Sequence, residues 1–170
     1  MAAIEAIATT YLEADAALVT FSSLGSYEHL QLHISARSDY ASNPHDAIKV
    51  NFNNDTGTNY SSYSMYAGGT AKGAQSGAGE AFTHVWGISA QQLGAAVYAG
   101  IIVDILDYRN SSKNTTILYS AGSEPAAYTM YFGSGLWAAT AAVTEIDLTL
   151  LNGTNFKRGS EFTLYGLNSS

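Results

Sequence analysis

The chain has 170 residues, of which 46 % are hydrophobic and only 12 % charged, with 14 acidic against 7 basic side chains and a formal net charge of −7. The basic residues are scattered and only Lys157 and Arg158 adjoin, which argues against a phosphate-backbone footprint, and an acidic surface disfavours anionic membranes. Neither nucleic acid nor membrane is an expected partner, and the absence of cysteine removes thiol catalysis, thiolate zinc sites and disulfide staples.

This length suits one domain, expected over residues 1–170, with a core of its own. Its first twenty residues can be read two ways. Ile4, Ile7, Ala8, Tyr11, Leu12 and Val19 fit a helical stripe, but "TTY" is β-prone and "ALVTF" alternates; strand is preferred over helix. The segment has no basic leader region and is broken by Glu5, Glu13 and Asp15, so synthesis without a Sec signal is expected.

From Tyr27 onward the dominant period is two. "YEHLQLHISAR" sets Leu30, Leu32 and Ile34 against Gln31, His33 and Ser35, the alternation of a half-buried strand. "AIKVNFN" sets Ile48, Val50 and Phe52 against Lys49, Asn51 and Asn53, and "TEIDLTLL" sets Ile146, Leu148 and Leu150 against Asp147 and Thr149. "GIIVDILDY" is apolar on both faces at first, as for a central strand covered on both sides. "NTTILYSA" and "SEFTLYGL" complete the set, and turn chemistry separates the runs at "SNPHD", "NDTG", "RNSSKN", "SEP", "NGTN" and "RGS". The glycine- and alanine-rich 67–81 has no period and is predicted to be a long loop. The fold class expected is all-β, an antiparallel sandwich of jelly-roll type with about eight to ten strands.

Few motifs carry chemistry. Asn53, Asp55, Gly57 and Asn59 resemble part of a calcium loop, yet the first carboxylate and distal glutamate are lacking. Asn-Asp-Thr-Gly is also a good turn between strands, so Asn53, Asp55 and Asn59 are weak metal candidates and no cofactor is expected. His29 and His33 lie about 13 Å apart on one strand face, too far for a shared metal, and His45 and His84 have no neighbouring ligands. Asp104 and Asp107 fall on opposite faces, with Asp107 and Arg109 expected to pair. No nucleophile elbow or phosphate loop occurs, so no enzyme is expected. The tyrosines of "NYSSYSMY" and "AYTMYF" suit a recognition surface; Tyr60, Tyr63, Tyr66, Tyr128 and Tyr131 are the interface candidates.

The ordered series "ALVTFSSLGSYEHLQLHISARS", "IKVNFNNDTGTNYSSYSM", "IIVDILDYRNSSKNTTI", "LWAATAAVTEIDLTL" and "FKRGSEFTLYGL" is similar to a group of jelly-roll proteins of tailed-phage virions, over about Ile4 to Leu167. The resemblance implies a structural virion protein assembled in the bacterial cytoplasm. A capsid decoration (cement) protein is expected first, forming a homotrimer and binding the major capsid protein or another virion protein. A carbohydrate- or receptor-binding tail appendage is the alternative.

Overall fold

The computed structural model describes residues 3–123 and 129–168. These residues hold β1 (Ile4–Tyr11), β2 (Val19–Phe21), β3 (His29–Ala36), β4 (His45–Phe52), β5 (Tyr60–Gly68), β6 (Ala71–Glu80), β7 (Thr83–Ser89), a single 3-10 turn (Gln91–Leu93), β8 (Ala99–Leu106), β9 (Thr115–Ser123), β10 (Thr129–Trp137), β11 (Ile146–Leu150) and β12 (Glu161–Leu167). The first twenty residues contribute strands, as the alternation favoured.

The strands form two antiparallel sheets stacked as a sandwich. The larger runs β1-β12-β3-β8-β9-β10-β5-β6 and the smaller β2-β11-β4-β7. Pairing is nested in the jelly-roll manner: β3 with β12, β4 with β11 and β5 with β10. The sheets are unequal, eight strands against four, so the larger overhangs the smaller.

One core fills the space between them. Leu30, Leu32 and Ile34 of β3, Val103 and Ile105 of β8, Ile117 of β9 and Leu164 of β12 meet Ile48, Val50 and Phe52 of β4 and Ile146 and Leu148 of β11. Each set recurs at every second residue, so the period-two pattern becomes a single inner face. Burial of each aliphatic side chain stabilises by about 1.5–3 kcal/mol.

Two expectations fail here. The predicted loop at 67–81 is largely β6, paired with β5 from Tyr60↔Glu80 to Gly68↔Ala71 around Gly69, whose φ is +55°. Most of its side chains are too small to show a period, while its backbone pairs with β5 along the strand apart from a bulge at Gly79. Opposite Tyr66 stands Gly73, where a Cβ would lie 2.8 Å from the tyrosine hydroxyl; the glycine makes room for the ring. The other correction concerns β8, read as covered on both faces: Ala99, Ile101, Val103 and Ile105 are buried, but Ile102 and Leu106 are exposed.

Candidate functional site

The stretch from Asn53 to Tyr60 is a structural turn. Asp55 accepts hydrogen bonds from Gly57 N (2.8 Å), Asn59 Nδ2 (2.9 Å) and Trp137 Nε1 (2.7 Å). Asn59 and Trp137, with the Gly57 amide, hold this carboxyl below its ordinary range. Asn53 Oδ1 accepts from Thr144 N (2.7 Å) and Glu145 N (3.1 Å), while its Nδ2 donates to Ala142 O (2.9 Å). Asn53 and Asp55 are thus engaged with protein groups, whereas Asn59 donates through Nδ2 and leaves its buried Oδ1 without a partner; no group of three or more His, Cys, Asp or Glu side chains that could hold a metal occurs among the described residues. The left-handed backbone at Asn53 (φ 54°) and Asn54 (φ 56°) is tolerated because asparagine is among the few non-glycine residues that adopt it readily.

The tyrosine candidates separate. Tyr60 is 1 % exposed; its hydroxyl accepts from Phe52 N at 3.0 Å, its ring stacks at 6.3 Å on Trp137, and burial pushes its pKa up to about 12. Tyr131 is 7 % exposed, lies 5.5 Å from Tyr66 between ring centroids, and is likewise pushed up to about 12 by burial. Tyr60 and Tyr131 are therefore core residues, because both sit at inward positions of β5 and β10. Tyr66 is half-buried, Tyr63 is half exposed on the opposite face, and Tyr128 lies outside the described residues.

Asp107 does not pair with Arg109. It leaves β8 with a left-handed φ of 50°, forms an ion pair with Lys113, which holds its pKa down, and lies 3.7 Å from His29. Asp104 is engaged elsewhere, accepting from Gln31 Nε2 at 2.6 Å, and Gln31 Oε1 lies 2.8 Å from His33 Nε2.

A broad apolar surface is the main feature that sequence reasoning missed. On the outer face of the large sheet, one row crosses seven strands in register as Met65, Phe132, Ser120, Ile102, His33, Thr163 and Thr9. Beside it run Tyr63, Ser134, Leu118, Asp104 and Gln31, and Ala67, Met130, Gly122, Gly100 and Ser35. Met65 and Met130 are 54 % exposed, Phe132 50 %, Leu118 48 % and Ile102 40 %. Gly100 and Gly122, open where side chains would stand, leave a hollow of about 390 Å³ between Ile102 and Met130. Five strands at about 4.8 Å by five residues at about 3.3 Å give a footprint of about 400 Å². That is about the size of the largest apolar patch on a typical monomer, which is often functional. Across β3, β8, β9, β10 and β5 the outward positions hold a single formal charge, Asp104.

At the overhanging flank, a cleft of about 330 Å³ opens between the sheets, lined by Tyr40, Asn43, Pro44, His45, Gln75, Trp86, Tyr131 and Asn152. Beneath it Asp46, fully buried, accepts from Ser38 Oγ (2.8 Å), Ala47 N (2.8 Å), Asn152 N (3.1 Å), Asn152 Nδ2 (2.9 Å) and Gly153 N (2.8 Å). This carboxylate fixes the 38–46 loop to the turn after β11. In the sequence it showed only as part of a turn.

Comparison with known proteins adds no family. No family model matches the chain, and no similar curated protein was found. Among solved structures, the lectin UEA-II complexed with galactose aligns at 8 % identity over 94 % of this chain and 99 % of that chain, with a TM-score of 0.18; a likeness that slight carries no argument.

Proposed function

We propose that the chain is a non-enzymatic structural protein of a tailed-phage virion, a capsid decoration protein that assembles as a homotrimer and stabilises the shell of the major capsid protein. The observation that supports this most is the apolar outer face of the large sheet, whose five central strands carry one formal charge, Asp104. Such a face is stable in water only at a penalty, and covering it recovers about 25 cal/mol for each Å² of apolar surface removed. A chain of net charge −7 meets copies of itself with least repulsion where charge is sparse. A protein that binds an assembled shell and not its free subunits strengthens the shell by mass action, with no reaction needed.

The test is twofold. Light scattering should report an oligomer, and Phe132→Ser with Ile102→Ser should leave a folded monomer. Cryo-microscopy of native particles should place the chain on the icosahedral shell. Its complete absence there would overturn the decoration reading and favour the tail-appendage alternative.

A further inference from the structure

The flank cleft differs from the outer face in every respect that matters for binding. Its lining combines aromatic surfaces (Tyr40, Trp86, Tyr131 and the His45 ring) with carboxamides (Asn43, Gln75 and Asn152), and none of its side chains is an acid, a lysine or an arginine. Burial lowers the pKa of His45, so its ring is neutral at neutral pH. An uncharged lining has nothing to offset the desolvation of an ionic ligand.

The polar groups are partly committed. Asn43 Nδ2 donates to Tyr40 Oη (3.2 Å), Asn152 Nδ2 to Asp46 (2.9 Å), and His45 Nε2 lies 2.9 Å from Ser123 Oγ. Gln75 Oε1 is different: it is buried and has no hydrogen-bond partner in the protein. A buried acceptor left unpaired is costly, and a turn of the Gln75 amide toward the cleft it lines would let a ligand hydroxyl satisfy it. The aromatic walls are held in place by their own neighbours, Trp86 stacked on His84 at 5.8 Å and Tyr131 between Tyr66 (5.5 Å) and His45 (5.7 Å). These contacts set the walls before any ligand arrives, so little ordering is required on binding.

We infer that this cleft is a binding site for a neutral saccharide. A pyranose ring has a C–H face that packs on aromatic rings and hydroxyls that both donate and accept, which is the complement of aromatic walls carrying carboxamides. The volume of about 330 Å³ lies at the small end of ligand sites, about 300–1,000 Å³, and suits one or two sugar units. The site rests on the cleft alone and does not depend on where the chain sits in a particle.

The experiment uses the full chain. A glycan array is followed by titration of the best neutral oligosaccharide while intrinsic fluorescence is recorded from a Trp137→Phe background, which leaves Trp86 as the sole tryptophan. Neutral glycans should bind in preference to sialylated or sulfated ones and change the Trp86 emission. Gln75→Ala should weaken binding about tenfold, as for loss of one hydrogen bond of about 1.4 kcal/mol. Tyr40→Ala, a loop position, serves as a second variant should a strand substitution disturb folding. If no neutral glycan binds, or if binding is unchanged in both variants with melting temperature intact, the inference is overturned. Loss of glycan binding with oligomerisation preserved would separate this site from the outer face.

Discussion

The large sheet has two apolar faces with opposite fates. Inward, Leu32, Val103, Ile117 and Leu164 are closed off by the smaller sheet; outward, Ile102, Leu118, Phe132 and Met65 remain in water. Neighbours on one strand, Ile101 and Ile102, are 2 % and 40 % exposed. Hydrophobicity alone therefore does not decide burial; the face on which the smaller sheet packs does, and the other face has no covering layer. What the inner face shows as stability, the outer face offers as capacity for association.

The comparison can be broken first where it should be strongest. Leu32→Ala, in the sealed layer, should lower stability by about 3 kcal/mol in urea unfolding, through lost transfer energy and a residual cavity. A loss below 1 kcal/mol would mean that the core is looser than it looks.

Carboxylates extend the same contrast. Asp46→Ala removes the acceptor for Ser38, Ala47, Asn152 and Gly153 in a buried setting and should cost about 2–3 kcal/mol. Asp55→Ala, at a partly exposed turn, should cost about 1 kcal/mol, and added calcium should leave the wild-type melting temperature unchanged. A calcium-dependent rise would restore the metal reading of the turn.

Next comes pH. Burial lowers the pKa of His45 and His84 from the ordinary 6.5, so the unfolded chain takes up protons more readily than the folded one. Their contribution is complete above about pH 6.5 and lost as pH falls through the ordinary value toward the folded ones. Melting temperature should therefore step down on acidification from pH 7.5 to 5.5, and His45→Gln should flatten part of that step. The smallest effect on folding belongs to the outer face: Ile102→Thr should change monomer stability by no more than about 0.5 kcal/mol while weakening self-association measured by sedimentation.

Much of the fold was legible, because β3, β4, β11 and β12 each have one face buried and so write a period of two into the sequence. β6 was illegible since glycine, alanine and serine hardly report burial, and its partner is chosen by backbone pairing with β5. β8 was misread because its two apolar faces look alike until the side on which the second sheet packs is known. At the candidate site, Tyr63 and Tyr66 could be placed by parity relative to each other, yet parity does not say which side is the core; Tyr60 and Tyr131 were consequently taken for surface. The flank cleft draws on β4, β6, β7 and β10 and on two loops, a convergence that no local pattern carries.

The position of β12 between β1 and β3 governs how the molecule is made. β1, which pairs with β12, and one edge of β3 can close only after residues 161–167 have been synthesised, whereas β3, β8, β9, β10, β5 and β6 can already pair with one another. Such distant pairings close slowly, on the order of milliseconds to seconds, and meanwhile the edge of β3 that β12 will take has no protection from other nascent chains. Expression yield should thus depend on temperature and chaperone supply far more than the finished sandwich's stability would suggest, and deleting 161–167 should abolish folding altogether.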